Sequence, residues 1–268
     1  MGCRTGPPPL RVATTTSVEN SGLLTAILPA FERESGLTVE VLPVGSGQAL
    51  NLIRRGDASV GITHDPPAEA AALKSGDIAA YRKFMFNDFL IVGPASDPAG
   101  IRGATDAGNA FHRIATEQAV FVSRGDASGT YSREQELWTA AGQKPPATRL
   151  LETGQGMGAT LRVASERDAY TLTDRATFEQ FRSRLRLAVI HEGGPELLNT
   201  YSVFLSVRAS GAPRDAGMRL ADWLTDGNGR MLIDGFVSNN QPVFRIWPAG
   251  SPATQPSDLP IVQPAHAR

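Results

Sequence analysis

Val122-Ser123-Arg124-Gly125-Asp126-Ala127-Ser128-Gly129-Thr130 puts a strand end, a charged anchor, a glycine-opened turn and a helix start into one short stretch. Upstream, Ala119-Val120-Phe121-Val122 is short, apolar and β-branched, which suits a buried strand. Downstream, Tyr131 to Ala141 carries good helix formers with Leu137 and Trp138 on one side. The turn between them points the first backbone N–H groups of the helix outward, where they lack intrahelical partners and carry partial positive charge. Ser128 or Thr130 can cap that helix. Arg124 adds a fork of fixed donors beside it, and the combination favours an oxyanion. A capped helix with a surface arginine is the plainer reading of the same residues, so the rest of the chain has to decide.

Toward the N-terminus, Leu10 to Ala13 has an apolar strand pattern, and Thr14-Thr15-Thr16-Ser17 then places four hydroxyls in a row. A helix follows, with Leu23, Leu24, Ile27, Leu28 and Phe31 at helical spacing, a bend expected at Pro29 and a stop at Gly36. Thr38 to Leu42 alternates as a strand should. Val44-Gly45-Ser46-Gly47-Gln48 is a turn opening the helix Ala49 to Arg55, Gly56-Asp57 stops it, and Val60 to Thr63 is a third strand. Strand, helix, strand, helix, strand is the signature of parallel α/β construction.

Toward the C-terminus the pattern continues with a helix at Ala68 to Lys74. The run Phe84 to Val92, closed by Gly93-Pro94, is long enough to cross between two lobes. Ala110 to Glu117 reads as a helix and Lys144-Pro145-Pro146 as a loop. Glu152-Thr153-Gly154-Gln155-Gly156-Met157-Gly158 is another glycine-rich turn, entering a helix at Ala159 to Ser165. Ala169 to Thr173 and Leu185 to Ile190 read as strands, Thr200 to Val207 as a second crossing, and Ala216 to Leu224, bearing Trp223, as a closing helix. From Pro248 onward proline, alanine and polar residues show no periodicity, and the tail 249–268 reads as disordered or loosely attached.

With 268 residues, 41% hydrophobic and 20% charged, the chain has the composition of an ordinary globular protein of two modest lobes or one large domain. A net charge of -1 without any basic cluster excludes a nucleic-acid partner. No apolar run approaches the ~20 residues of a membrane span. The single cysteine, Cys3, excludes an internal disulfide framework and a cysteine-cluster metal site. It precedes the spacer Arg4-Thr5-Gly6-Pro7-Pro8-Pro9 and resembles the lipid-bearing first residue of a mature bacterial lipoprotein, so an anchor at Cys3 is the only membrane attachment expected.

Catalytic and nucleotide readings find little support. There is no Gly-x-Ser-x-Gly elbow, and His64, His112, His191 and His266 lack metal-ligand spacing, so no catalytic residue, metal or cofactor is expected. Gly45-Ser46-Gly47 lacks the lysine of a phosphate loop. Gly154-x-Gly156-x-x-Ala159, with Asp174 as a ribose-binding acid, matches the loose dinucleotide fingerprint, but too few strands follow it for a full dinucleotide sheet. His64-Asp65 suits a structural or hinge role. Glu152 suits pairing with an arginine or a helix cap, and Asp126, which would repel an anion, suits orienting Arg124.

Three strand-to-helix turns therefore share one make-up: Thr15-Thr16-Ser17, Gly45-Ser46-Gly47, and Arg124 with Ser128-Gly129-Thr130. Each alone is ordinary capping. Together in one α/β chain they favour convergence on a ligand, because open parallel sheets gather their strand C-terminal ends at one crevice.

Six segments in order carry a family resemblance: Thr14-Thr15-Thr16-Ser17 with Asn20-Ser21-Gly22-Leu23-Leu24; Gly45-Ser46-Gly47-Gln48-Ala49-Leu50; Asn87-Asp88-Phe89-Leu90-Ile91-Val92-Gly93-Pro94; Ser123 to Thr130; Leu151-Glu152-Thr153-Gly154-Gln155-Gly156-Met157-Gly158-Ala159-Thr160; and Tyr170-Thr171-Leu172-Thr173-Asp174-Arg175. From about Leu10 to Trp247 the chain resembles the tungstate-binding subunit of bacterial ABC importers. The Arg-x-Asp-x-Ser-Gly-Thr element is shared with phosphate-binding relatives and by itself indicates only an oxyanion binder.

The resemblance implies an α/β, two-lobed type II periplasmic-binding fold, each lobe a mostly parallel sheet flanked by helices and joined by two crossing strands. The expected division is 1–10 as spacer, 11–88 with 202–248 as one lobe, and 89–201 as the other. The implied pocket is Thr15, Thr16, Ser17, Ser46, Gly47, Arg124, Ser128, Gly129 and Thr130, closing around tungstate or molybdate. The implied partners are an ABC permease and ATPase, and the expected state is a monomer in the periplasm or on the outer face of a bacterial cytoplasmic membrane. Phosphate or sulfate is the alternative ligand, and a nucleotide-dependent enzyme using the Gly154 turn the remote one. Ala127 stands where the family often has a second acid, and Tyr131 where it often has histidine; both neighbour the implied pocket, so these departures leave room for a selectivity that differs from the family's.

Overall fold

The computed structural model describes residues 8–261. Cys3 with its expected anchor, most of the N-terminal spacer and residues 262–268 lie outside the described residues.

In the first lobe β1 (Leu10–Thr15) leads into a single turn, α1 (Thr16–Asn20), and then α2 (Leu23–Ser35). β2 (Val39–Val44), α3 (Ser46–Arg55), β3 (Val60–Thr63) and α4 (Pro66–Lys74) follow. β1 lies between β2 and β3, parallel to both, so the turns leaving all three strands emerge at one end of the sheet. The stripe Leu23, Leu24, Ile27, Leu28 and Phe31 is buried, as its spacing demands. Pro29 is accommodated within α2, and Gly36 ends it in the left-handed region.

β4 (Ile78–Pro94) is the long crossing strand. The second lobe then adds α5 (Ala107–Thr116), β5 (Phe121–Ser123), α6 (Gly129–Ala141), β6 (Leu150–Glu152), α7 (Met157–Glu166), β7 (Thr171–Asp174), α8 (Arg175–Phe181) and β8 (Leu187–Glu192). β9 (Leu198–Ser206) returns to the first lobe, followed by α9 (Gly211–Thr225), α10 (Asn228–Asp234), the small hairpin β10 (Val237–Ser238) with β11 (Gln241–Pro242), and β12 (Arg245–Ile246). The first sheet runs β12-β4-β9-β3-β1-β2. In the second, β4 lies between β7 and β8, while β5 and β6 pair in parallel and join β7 through a parallel bridge from Phe121 to Tyr170. Parallel pairing thus occupies the strands whose turns face the cleft, and antiparallel pairing occurs where β4 and β9 pass between lobes.

Along β4 the partner changes between Asp88, opposite Leu198 of β9, and Phe89, opposite Asp174 of β7. The apolar cores divide there. Val12, Ile62, Phe84, Met85, Val203 and Leu220 belong to one cluster, with a second across the sheet around Ile53, Tyr81 and Phe204. Beyond the crossing, Phe89 and Ile91 join Phe111, Phe121 and Trp138, while the alternate residues Leu90 and Val92 join Met157, Leu161 and Phe178. That alternation explains why β4 reads as a continuous apolar run: both faces of the strand are covered.

One expectation needs correction. The tail is held in place as far as Ile261, because the Lys83 ammonium, 2% exposed, takes its acceptors from it. Nζ donates to the carbonyls of Pro256 and Asp258 at 2.6 Å each and to Thr200 Oγ1 at 3.1 Å, and the Trp247 ring lies 5.4 Å away. A buried cation without acceptors is costly, so a segment with no apolar periodicity is nonetheless fixed by its carbonyls. Burial pushes the Lys83 amine down to about 8. Three helices also escaped the sequence reading, α1 of five residues and α8 and α10 of seven each, all too short to show a period.

Candidate functional site

The expected site residues fall where parallel strands hand over to helices, on both walls of the cleft. Thr15 is the last residue of β1 and the N-cap of α1, its Oγ1 accepting from Val18 N at 3.2 Å. With five residues, α1 contributes hydroxyls rather than a helix dipole. Thr16 lies on its first turn, beside Gly156 at the start of α7. Ser17 is buried and its Oγ accepts from Arg124 Nη1 at 3.4 Å. Ser46 opens α3, fully buried, and its Oγ accepts from Gly129 N at 3.1 Å. Gly47 N donates to the Ala127 carbonyl at 3.3 Å.

On the opposite wall Ser128, rather than Thr130, is the N-cap of α6, accepting from Tyr131 N at 3.1 Å. Thr130 Oγ1 is buried with no protein partner. Arg124 is 2% exposed, and Asp126 Oδ2 receives both its Nε (3.2 Å) and its Nη2 (2.5 Å), the orienting contact expected of that acid. Nη1 is left to reach Ser17 across the cleft. Gly125, at φ +60, takes a conformation that a side chain disfavours, and a Cβ there would lie 2.9 Å from Glu152 Cβ.

The hydrogen-bond roles carry the chemistry. Thr15, Ser17, Ser46 and Ser128 each use a lone pair to accept from an N–H, which leaves each O–H free to donate. A hydroxyl so placed is a donor with its oxygen fixed. The walls also meet directly: besides the Ser17, Ser46 and Gly47 contacts, Ser132 Oγ donates to Asp65 Oδ2 at 3.0 Å. Gly129 packs so closely that a Cβ there would lie 2.6 Å from the His64 carbonyl oxygen. Gly47 and Gly129 thus direct their amides to the facing wall.

Behind the cleft a polar cluster ties the crossing strands. Asn199 Nδ2 donates to Asn87 Oδ1 and to the Tyr201 hydroxyl at 2.8 Å each, and its Oδ1 lies 3.1 Å from His64 Nδ1. The His64 ring stacks on Tyr201 at 5.0 Å. Burial drives the imidazole down to about 4, with Asn199 opposing and the Arg124 charge adding to the shift. Asp65 caps α4, so this pair serves as strand end and hinge neighbour.

Asp174 is 1% exposed and caps α8, accepting from Thr177 N at 2.9 Å. Its burial, rather than the cap, argues against the dinucleotide reading of Gly154 to Asp174, because a ribose-binding acid has to face the ligand. Glu19 lines a groove with α2 and β2 on the outer side of the first lobe. Among the described residues no group of three or more His, Cys, Asp or Glu is placed to hold a metal ion, and no helix is long and apolar enough to cross a membrane. Sequence reading missed Ser132 and Asn199, whose contacts join residues distant along the chain, and Glu134, which meets Ser123 across the strand-to-helix turn; none of them leaves a local pattern.

Comparison with known proteins gives the class. The model of the PBP superfamily domain matches residues 4–228, and the chain belongs to that superfamily. Within it, the chain is 39% identical over 194 residues to the tungstate-binding protein TupA of Peptoclostridium acidaminophilum, covering 72% of this chain and 68% of that protein. It is 40% identical over 243 residues to a putative ABC transporter anion-binding protein of Haloferax volcanii, covering 88% and 71%. The crystal structure of the tungstate ABC transporter from Geobacter sulfurreducens superposes with a TM-score of 0.78 at 39% identity, over 85% of this chain and 98% of that one.

Proposed function

We propose that the chain is an extracytoplasmic solute-binding protein that captures tungstate in the cleft between its lobes and delivers it to an ABC importer. The observation that carries this reading is the set of fixed hydroxyl donors, Thr15, Ser17, Ser46 and Ser128, around one buried cation, Arg124. Thr16, Gly47, Gly129 and Thr130 complete the pocket in this proposal. A tetrahedral dianion without protons needs donors on every oxygen. Charge-assisted hydrogen bonds contribute roughly 1.5–3 kcal/mol each, so half a dozen would reach the ~12 kcal/mol of nanomolar binding before closure and desolvation costs are subtracted.

The lobes in this reading are residues 11–88 with 202–248 and residues 89–201, a division supported by the separate apolar cores. An ABC permease and ATPase receive the loaded monomer at the outer face of the cytoplasmic membrane, with Cys3 as the anchor. The role is binding, without a catalytic step.

A second reading, capture of a protonated oxyanion such as monohydrogen phosphate, is favoured by one feature. Asp126 Oδ1 is buried with no protein partner beside Arg124 and is an acceptor for a ligand proton. Calorimetric titration with tungstate, molybdate, sulfate and phosphate decides between them. Tungstate and molybdate are expected to bind and to resist displacement by excess phosphate or sulfate. Tighter binding of phosphate would overturn the tungstate reading.

A further inference from the structure

The turn that carries Arg124 is held from behind by a side chain with no role in the pocket itself. Glu134, on the second turn of α6, is 2% exposed. Its Oε2 accepts from Ser123 Oγ at 2.9 Å, and its Oε1 accepts from Trp138 Nε1 at 3.1 Å and Gln135 Nε2 at 3.4 Å. Ser123 Oγ in turn accepts from Gly125 N at 3.2 Å. The residues on both sides of Arg124 are therefore tied to one carboxyl. That carboxyl is anchored in turn to Trp138, which packs edge-on against Phe111 at 4.3 Å and Phe121 at 5.0 Å.

Every donor to Glu134 is neutral, and among the described residues it forms no ion pair. The charged and titratable groups on the turn and on the elements packed against α6 include Arg124 and Asp126 on the turn, Tyr131 on the first turn of α6, Lys144 beyond its end, Glu152 on β6, Asp174 at the end of β7, and His112 on α5, whose Nδ1 faces the Ala141 carbonyl. Burial pushes the carboxyl up to about 7, against the pull of Ser123, Trp138, Lys144 and the Arg124 backbone.

We propose that Glu134 is a positioning residue for the anion site, and that its carboxyl takes up a proton from solvent when the oxyanion is captured. This rests on the oxyanion-binding reading above. A dianion arriving at Arg124 and the start of α6 makes the potential at Glu134 more negative, and a nearby like charge favours the neutral acid. Protonation does not release the turn. Ser123 Oγ can accept from the new O–H, in a weaker bond than the one it donated to the carboxylate, so the contact persists with its donor reversed. Linkage fixes the sign: a proton gained on binding means that affinity rises as pH falls through the interval between the free and bound values, with at most about tenfold per pH unit for one proton.

The test is calorimetric titration of the full chain with sodium tungstate between pH 6 and 8.5, in two buffers of different ionisation enthalpy. The ion is fully deprotonated there, so protons taken up go to the protein. The parent is expected to gain up to one proton near neutrality and to bind more weakly as pH rises, while Glu134→Gln binds with a flat profile and Glu134→Asp restores a slope. A flat parent profile, or a slope that survives in Glu134→Gln and so belongs to another group such as Lys83, overturns the inference alone. A parent that binds no tungstate at any pH overturns the tungstate reading and this inference with it. Should Glu134→Gln fail to fold by circular dichroism, Ser123→Ala replaces it. Removing that donor to the carboxylate is expected to move the pH midpoint upward, and an unmoved midpoint overturns the proposal.

Discussion

The two walls of the cleft solve the same problem with different chemistry. The first lobe offers hydroxyls at the tips of β1 and α3, with Thr15, Ser17 and Ser46 buried and neutral. The second offers one guanidinium, Arg124, held by Asp126 and flanked by Ser128 and Thr130. A charge brings attraction but must be oriented and desolvated, so its wall is the elaborate one, with Glu134 and Ser123 behind the turn. Neutral donors need only their lone pairs occupied, and capping achieves that locally. In the proposed pocket this division concentrates binding strength on one lobe, while the contacts between the walls involve both.

Removing the charge should show the largest effect. Arg124→Ala deletes the cation and is expected to weaken tungstate binding by about 100-fold or more, two charge-assisted bonds being worth roughly 3 kcal/mol or above. Calorimetry measures it, and parent-like affinity would mean that the neutral wall dominates.

Blocking the approach of the walls comes next. Gly129→Ala puts a methyl 2.6 Å from the His64 carbonyl, and an overpacking penalty of ~2 kcal/mol corresponds to about 30-fold weaker binding. Lobe cores are untouched, so the thermal midpoint without ligand should stay within a few degrees of the parent.

The neutral wall also has a titrating neighbour. His64 is held near 4 in the fold against an ordinary 6.5, so the unfolded chain binds its proton more readily. The stability it contributes is full above about pH 6.5 and is lost as pH falls toward 4, at up to ~1.4 kcal/mol per pH unit. Glu134, raised by burial to about 7, contributes the opposite slope in both proteins, so thermal midpoints across that window should drop more, or rise less, with falling pH in the parent than in His64→Gln. Parent and His64→Gln curves of the same slope would mean that the imidazole is not buried as described.

The smallest effect belongs to a single hydroxyl. Ser46→Ala removes one proposed donor to the ligand and the acceptor for Gly129 N, and is expected to cost about tenfold in affinity, or ~1–1.5 kcal/mol. If it matched Arg124→Ala, the contrast between a neutral and a charged wall would not hold.

Much of this was legible along the chain. The stripe of α2, the alternation of β2, and the turn residues at Ser46 and Ser128 are local signals, set by helical period, pleat and capping chemistry. They placed the handover points between strand and helix to within a few residues. The tail misled for a physical reason: its fixing force is the demand of Lys83 for carbonyl acceptors, and carbonyls are the same in every residue. α8 was hidden by its length, although its cap Asp174 stands in one of the segments read from sequence.

The sequence by itself determined the parallel α/β plan and which residue types stand where strands become helices, because those depend on periodicity and on side chains meeting their own backbone. It also carried the family, through six short segments in order. Tertiary structure alone decided which hydroxyls have their lone pairs occupied by a partner from the facing wall, as Ser46 does by Gly129 and Ser17 by Arg124. It also decided that Glu134 stands behind the anchor. The contacts between walls rest on distances between residues far apart in the chain, and the Glu134 contact on how a strand-to-helix turn folds back on its own helix; no local propensity encodes either.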